Sequence, residues 1–194
     1  LPVEEGKIGL RQQQALFEHI KNLTNIFSSY KGMDIGAVGV SVRPKDEENS
    51  YMPCFLSGIS AATAFASANG LRLHRFSHQQ GHIAAALFSA GRLDLLNEQF
   101  IAFHVSGGTT EAVLVEPDSE VICKTKLIAS SLDLKAGQAV DRVGVAMGLR
   151  FPAGKQIDEL ACRYTDKIKV KPVLKGCDCS LSGVENKCKK MLDD

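Results

Sequence analysis

The chain has 194 residues and a formal net charge of +1, and hydrophobic and charged residues make up 44% and 23% of it. This composition is typical of a folded globular protein and argues against a disordered chain. A net charge near zero creates no overall field that would attract nucleic acid or an acidic membrane, so an RNA partner would need a local patch or another subunit.

The sequence has no apolar stretch long enough to cross a membrane and no secretory signal peptide, so we expect a cytoplasmic protein without a membrane partner. Its cysteines are scattered and match no zinc or thioredoxin-type motif, which favours reduced thiols. The chain begins at Leu1 without an initiator Met and ends at Asp194 directly after a helical pattern. We therefore expect that both ends were cut from a longer protein.

The first half of the chain predicts helices that alternate with strands. Apolar residues spaced three to four apart over residues 10–27 predict an amphipathic helix. Residues 35–42 (IGAVGVSV) form a nearly continuous apolar run, as expected of a parallel strand that is covered on both faces. A small-residue helix over 55–68 and a strand over 71–76 complete a β-α-β unit, and a helix over about 77–90 follows it.

The pattern changes at Phe100, where strands follow one another without helices between them. Three strand patterns separated by turn residues predict an antiparallel meander over residues 100–106, 109–116 and 121–129. Two helices, a short strand and a final helix from about Ser182 come next. We therefore divide the chain into two α/β parts, residues 1–98 and 99–194.

His78 and His82 are candidate metal ligands. Four residues apart on a helix, they lie on one face about one turn apart, where both imidazoles can bind one ion. Ser77 is placed to cap this helix, and Gly81 would leave space beside the ion. The spacing alone leaves two unrelated histidines as an alternative. Gln79 stands where a zinc protease has its glutamate base, and glutamine cannot take up a proton at neutral pH.

The other three histidines give no comparable pattern. His19 belongs to the first helix and His74 alternates along a strand, so structural or surface roles are the simpler interpretation. His104 lies within the third strand pattern. We leave all three out of the candidate site.

A glycine pair lies between two predicted strands, in the segment from Val105 to Thr110 (VSGGTT). Consecutive glycines permit positive φ and leave backbone N–H groups free to surround a phosphate, while Ser and Thr hydroxyls add donors. A plain hairpin turn explains the same residues equally well. The motif alone does not decide between a phosphate loop and a turn.

Acidic residues follow in the two helices behind this turn. Asp141 stands among small and apolar residues, where its carboxylate could accept hydrogen bonds from a ribose diol. The alternative is an exposed helix residue paired with Arg142 or Lys135. Gly154 and Asp158, at the start of the next helix, could close around a nucleoside, subject to the same alternative.

Several segments together resemble the TsaD family, which is also called Gcp or YgjD and has an archaeal and eukaryotic counterpart in the KEOPS complex. Their order and spacing match this family over nearly the whole chain. The segments are Gly9-Leu10-Arg11-Gln12, Ser77-His78-Gln79-Gln80-Gly81-His82, Val105-Ser106-Gly107-Gly108-Thr109-Thr110, Ala136-Gly137-Gln138-Ala139-Val140-Asp141 through Phe151-Pro152-Ala153-Gly154, and Asp178-Cys179-Ser180-Leu181-Ser182-Gly183.

The resemblance implies an α/β fold of the ASKHA type (actin-like ATPase, ribonuclease H-like), with two lobes that are both incomplete in this chain. It implies transfer of a threonylcarbamoyl group from threonylcarbamoyl-adenylate to N6 of an adenosine in tRNA. It also implies one divalent metal ion, iron or zinc, held by His78 and His82, and ATP or an adenylate as ligand. The phosphate region would be held by Val105, Ser106, Gly107, Gly108 and Thr109, and the nucleoside by Asp141, Gly154 and Asp158.

The chain departs from the family pattern in several places. The family's first phosphate loop, its Asn contact to nucleotide and the Asp that completes its metal site are not found in these residues. We therefore expect the chain alone to be inactive and to bind metal weakly, with the third ligand beyond Asp194. Thr109 stands where the family commonly has His, and the residues after Val42 replace a Gly-Pro-Gly-rich segment. Both features resemble a Firmicutes paralogue.

Three functions are therefore considered, and no catalytic residue is assigned. The first is the tRNA threonylcarbamoyl transferase that the resemblance implies. The second is a metal-dependent glycoprotease or other hydrolase, the role under which the family was first named, and Gln79 argues against it. The third is a non-catalytic nucleotide-binding subunit that supports another enzyme. An actin-like partner subunit is a further expected partner.

Overall fold

A computed structural model describes residues 11–165, 170–171 and 173–193. The chain forms two compact units. The first comprises the residues up to Gln99 together with Glu116–Thr125, and the second comprises Phe100–Val115 and the residues from Lys126 onward. The sequence boundary at residues 98/99 places Glu116–Thr125 in the second part, whereas contacts place this segment in the first unit. The local sequence pattern on which the boundary was based carries no information about contacts between distant segments.

The first unit contains three helices, two strands and a short 3-10 helix. They are α1 (Gln12–Ser28), β1 (Ala37–Arg43), α2 (Phe55–Ala68), β2 (Arg72–Ser77), α3 (His78–Ser89) and the 3-10 helix Leu93–Asn97. β1 and β2 pair in parallel, with Val38 opposite Leu73, and α2 connects them. This confirms the predicted β-α-β unit. The helix predicted from residue 10 is confirmed as α1, except that Leu10 lies outside the described residues.

β1 is less covered than its sequence predicted. Val40 is the buried residue of this strand, and Ala37 and Gly39 are exposed. The expectation of a strand covered on both faces is therefore wrong at Ala37 and Gly39, whereas the rest of the strand is at least half-buried. Val40 packs towards α2, where a Cβ on Gly58 would lie 3.7 Å from its Cγ2.

The second unit combines a three-stranded sheet with helices and a short hairpin. Its elements are β3 (Phe100–Val105), β4 (Thr110–Glu116), β5 (Lys124–Ser130), α4 (Ala136–Ala146), α5 (Gly154–Ala161), β6 (Val173–Lys175), β7 (Asp178–Ser180) and α6 (Ser182–Asp193). The sheet order is β3-β4-β5, and β3 runs antiparallel to β4 with Phe103 opposite Ala112. The predicted succession of strands and helices is confirmed. Where one short strand was predicted before the last helix, the structure has a hairpin of β6 and β7.

None of the described helices combines the length and the apolar character needed to cross a membrane. All six cysteines are free thiols, as predicted. Burial, together with the nearby carboxylates of Asp46 and Asp118, raises the pKa of the Cys123 thiol to about 11. A thiol with so high a pKa is protonated at neutral pH and is a poor nucleophile.

Asp133 joins the starts of two helices in the second unit. Its Oδ1 accepts hydrogen bonds from the backbone N–H of Leu134 at 2.5 Å and of Leu181 at 2.8 Å. Its Oδ2 accepts the Ser182 hydroxyl at 2.5 Å. The carboxylate therefore caps α6 and fixes the chain just before α4, since unpaired N–H groups at a helix start favour an anionic acceptor.

Asp133→Asn is expected to destabilise the protein at neutral pH and to make its stability less sensitive to acid. The Ser182 hydroxyl, followed by the Leu181 and Leu134 N–H groups, holds the pKa of Asp133 well below its ordinary range. Because folding lowers this pKa, the carboxylate stabilises the fold above an ordinary value of about 3.9. That contribution is lost as the pH falls towards the folded value.

The measurement is urea unfolding of both proteins at neutral pH and at about pH 3, below the ordinary carboxyl pKa. Asp118, whose pKa Lys124 lowers to about 2, keeps part of the acid response in the variant. A variant that loses as much stability on acidification as the unchanged protein would contradict the role assigned to Asp133.

Candidate functional site

His78 and His82 lie together at the start of α3. The helix begins at His78, and Ser77 caps it through a reciprocal pair of hydrogen bonds with Gln80. Both histidines are exposed. Their Nε2 atoms are 2.9 Å apart and their ring centroids 4.3 Å apart. The helix therefore brings the two imidazoles to one face, as their spacing predicted.

This pair fits a divalent metal as two of its ligands. Nitrogens 2.9 Å apart are close enough for both to bind one ion at about 2.0–2.1 Å. Without metal, the same distance is a hydrogen bond in which one Nε2 donates and the other accepts. Imidazole suits zinc and iron. Within the described residues, no group of three or more His, Cys, Asp or Glu side chains could hold a metal.

Gln79 and Gly81, which lie between the histidines, contact neighbouring segments of the first unit. Gln79 is buried, its backbone N–H donates to Pro44 O at 3.0 Å, and its Oε1 accepts the Thr125 hydroxyl at 3.3 Å. A Cβ on Gly81 would lie 3.3 Å from the ring of Phe76 on β2. The expectation that Gly81 leaves space beside an ion is therefore wrong, because its open side faces Phe76.

The glycine turn is a hairpin that joins β3 to β4. Ser106 N–H donates to Thr109 O at 2.7 Å, and Ser106 Oγ accepts the N–H of Thr109 at 3.0 Å and of Gly108 at 3.3 Å. Neither Gly107 nor Gly108 has a positive φ. The positive φ that consecutive glycines permit is not used here, and the Ser106 side chain takes up the N–H groups of Gly108 and Thr109.

Gly137, the second residue of α4, lies directly against this turn. A Cβ on Gly137 would be 2.6 Å from Gly107 N and 2.7 Å from Ser106 C. Its own N–H donates to Ser106 O at 3.1 Å. Thr110 Oγ1 accepts the neighbouring N–H of Ala136 at 2.8 Å. The start of α4 is thus fastened to the turn by hydrogen bonds that only a residue without a side chain permits.

A cavity of about 350 Å³ opens beside this contact. Residues of the turn, of α4 and of the start of α5 line it: Val105, Ser106, Ala136, Gly137, Val140, Asp141, Pro152, Gly154 and Lys155. Four of the predicted ligand-binding residues are therefore brought together, namely Val105, Ser106, Asp141 and Gly154. The other four, Gly107, Gly108, Thr109 and Asp158, do not line the cavity.

Asp141 holds the entrance to α5. Its Oδ1 accepts the backbone N–H of Ala153 at 2.8 Å. The alternative pairing with its basic neighbours is not found, because Arg142 lies 3.5 Å from Glu185 and Lys135 donates to Ser131 O at 3.0 Å. Asp141 therefore faces the cavity with one oxygen engaged by the backbone. Asp158 is exposed, one turn further along α5.

Five lining residues were missed by sequence reasoning, and two of them, Gly137 and Lys155, bear on the chemistry of the cavity. Gly137 belongs to a segment with family resemblance, but the close approach that makes it necessary involves Ser106, far away in the sequence. Lys155, in the first turn of α5, places a cation at the cavity, and a lone exposed Lys carries no sequence signal. Hydrophobic periodicity reports on residues close together in the sequence, so it does not reveal a contact between residues about 30 positions apart.

A larger cavity of about 670 Å³ lies between α1, β1 and α2. Its lining is mostly apolar, with residues such as Phe27, Val38 and Phe65, and it contains none of the predicted site residues. Size alone does not identify a binding site, because specificity requires convergent polar groups. The smaller cavity has those groups.

These features define a mixed α/β protein that has a two-histidine helix and a cavity between a hairpin turn and two helix starts, with Ser106, Asp141 and Lys155 in its lining. The family model described as "TsaD: tRNA N6-adenosine threonylcarbamoyltransferase" matches residues 51–194. The chain belongs to the TsaD family.

Curated relatives carry the same description. The chain is 38% identical over 156 residues to a tRNA N6-adenosine threonylcarbamoyltransferase of Pediococcus pentosaceus. The matched region covers 79% of this chain and 41% of that protein. Proteins of the same name from Streptococcus pneumoniae and Streptococcus suis are 39% and 41% identical, over 69% and 66% of this chain. The chain spans 36% and 34% of these two proteins.

Proposed function

We propose that the protein acts in the transfer of a threonylcarbamoyl group from threonylcarbamoyl-adenylate to N6 of an adenosine in tRNA. The observation that carries this proposal is the cavity of about 350 Å³ formed by Ser106, Gly137, Asp141 and Gly154 in a chain of the TsaD family. Its volume lies within the range of about 300–1,000 Å³ that is usual for small-ligand sites.

The cavity residues have complementary roles towards an adenylate. Asp141 offers an anionic acceptor for a ribose diol, since its Oδ2 is not the oxygen that binds Ala153 N–H. Lys155 adds a cation that attracts the phosphate. Ser106, whose hydroxyl organises the turn, lines the same cavity. The remaining predicted residues do not line the cavity and would contact only those parts of the ligand that extend beyond it: Gly107, Gly108, Thr109 and Asp158.

His78 and His82 would hold one divalent ion, iron or zinc. Such an ion supplies Lewis acid chemistry, because it polarises a carbonyl or phosphate oxygen. The chain's own contribution is a rigid helix start that presents two imidazole nitrogens 2.9 Å apart. The binding form requires each Nε2 to be unprotonated, so metal and proton compete for this pair.

The two compact units are proposed to be parts of the two lobes of an ASKHA fold. The lobes would correspond approximately to residues 1–98 and 99–194. Within them, the histidine pair belongs to the first unit and the adenylate cavity to the second. The partners on this proposal are tRNA, the adenylate and an actin-like subunit, and the setting is the cytoplasm.

A transfer assay tests the proposal. The intact gene product is incubated with threonylcarbamoyl-adenylate and an unmodified tRNA transcript, and nucleosides are analysed by mass spectrometry. We expect threonylcarbamoyl-adenosine in the complete reaction and its loss when a chelator is added. Adenylate binding is measured in parallel by calorimetry. Binding without any modified adenosine, in the presence of metal, would instead identify a non-catalytic nucleotide-binding subunit.

Protein hydrolysis is less well supported. A metal-dependent hydrolase needs a general base near its ion. Gln79, which stands at the position of that base, is buried and accepts the hydroxyl of Thr125. A peptide substrate cleaved by the intact protein, with cleavage lost on chelation, would favour hydrolysis over transfer.

A further inference from the structure

Gln80 lies between the two histidines and is almost completely buried. It is 1% exposed and is among the largest fully buried side chains of the described residues. On a helix, a residue two positions from each histidine points to the opposite side. Gln80 therefore contacts the interior of the first unit, while His78 and His82 face outwards.

The Gln80 side chain fastens the first turn of α3. Its Oε1 accepts the backbone N–H of Ser77 at 2.7 Å, and Ser77 Oγ accepts the backbone N–H of Gln80 at 3.1 Å. These reciprocal bonds satisfy two N–H groups that a helix start leaves unpaired. His78, the first residue of the helix, lies inside this closed turn.

The same amide ties the helix to two other segments of the first unit. Gln80 Nε2 donates to Cys123 O at 2.5 Å, in the segment after β4, and to Asp46 Oδ2 at 3.4 Å, in the loop after β1. Asp46 Oδ1 pairs with the guanidinium of Arg43. The position of the helix start is therefore set by contacts from two directions.

These partners require an amide. Ser77 offers a donor, whereas Cys123 and Asp46 offer acceptors, and glutamine supplies both an acceptor and donors. An ionised glutamate could still accept from Ser77. It would leave the buried Cys123 carbonyl without its donor and would place a second carboxylate next to Asp46, which is unfavourable in a buried setting.

We propose that Gln80 is a positioning residue for the histidine pair. By fixing the first turn of α3, it keeps His78 Nε2 at 2.9 Å from His82 Nε2 and sets the affinity for a divalent ion that both bind. A loosened first turn displaces His78 but leaves His82, one turn further on, in place. The metal part of this inference rests on the proposed function, whereas the geometry of the pair does not.

The test compares Gln80→Glu and Ser77→Ala with the matched control Gln79→Ala. Gln79 is also buried in the first turn of α3, but its side chain takes no part in the cap. Ser77→Ala removes one of the two reciprocal bonds and is the milder variant, which keeps the test informative if Gln80→Glu does not fold. Circular dichroism checks the fold of each variant of the intact protein.

The first measurement uses the metal-free protein. Imidazole ¹⁵N spectra report whether one Nε2 donates to the other, and amide hydrogen exchange reports opening of residues 78–82. We expect the Nε2-to-Nε2 hydrogen bond in the unchanged protein and in Gln79→Ala, and its loss together with faster exchange in Gln80→Glu. Ser77→Ala should show a smaller change in the same direction.

The second measurement is titration with Co²⁺, followed by its visible absorption. We expect Co²⁺ binding about 10–100-fold weaker in Gln80→Glu, as for other residues that orient metal ligands without binding the metal themselves. Folded variants whose imidazole spectra and Co²⁺ affinity both equal those of the unchanged protein would overturn the role of Gln80. If the unchanged protein binds no Co²⁺, the proposed metal site fails, and the imidazole spectra still decide whether Gln80 positions the pair.

Discussion

Replacing Gly137 with alanine is expected to disrupt the cavity and to destabilise the second unit. The new Cβ would lie 2.6 Å from Gly107 N and 2.8 Å from Ser106 O. Both are backbone atoms, so no side-chain rotation relieves the clash. Either the turn or α4 must move, and the hydrogen bond from Gly137 N–H to Ser106 O is then lost. Overpacking of this kind costs about 1–3 kcal/mol.

Ligand binding should weaken together with stability. Ser106, Gly137 and Asp141 line one cavity, so a shift between the turn and α4 separates groups that are proposed to contact the same ligand. We expect adenylate binding to weaken by more than about tenfold, which corresponds to about 1.4 kcal/mol. Thermal unfolding and calorimetry with a non-hydrolysable adenylate analogue measure the two effects.

Gly183→Ala is the matched control for Gly137→Ala. Gly183 lies near the start of α6 in the same unit, and a Cβ there would meet no atom within 4 Å. Alanine in an open helical position is favoured over glycine by up to about 1 kcal/mol, so this variant should be at least as stable as the unchanged protein. If Gly137→Ala matches it in both measurements, the close approach of α4 to the turn is unimportant.

The fold elements were predictable where local signals decide them. The β-α-β unit follows from the apolar run near β1, the small residues of α2 and the Asn69-Gly70 pair, where Gly70 ends the helix with a φ of 62°. The spacing of His78 and His82 likewise determines their common face, since helix geometry is a local property. Such features depend on residues within about one or two turns of each other.

Contacts between distant segments were not predictable in the same way. Gly81 makes room for Phe76, and Glu116–Thr125 joins the first unit through partners such as Gln79 and Gln80. The acceptor role of Asp141 towards Ala153 depends on how the chain returns after α4. Each is fixed by tertiary packing, which residue patterns report only indirectly.

If the proposed function is right, alanine at His78 should abolish transfer by the intact protein as completely as alanine at both His78 and His82. Two ligands of one ion act as a unit, so losing either should cost nearly as much as losing both. We expect the transfer rate of each single variant to fall by more than about 100-fold. This loss is larger than the loss usual when a residue that only orients a metal ligand is replaced. Both side chains are exposed, so stability should change by no more than about 0.5 kcal/mol.

The matched control is His74→Ala, an exposed histidine on β2 of the same unit. Its transfer rate and bound metal, measured by mass spectrometry of the purified protein, should equal those of the unchanged protein. Losses that multiply between the two single variants would show that the histidines act independently and would remove the shared ion. Full transfer by the double variant would place the reaction entirely outside this pair, because no imidazole of α3 would remain to bind an ion.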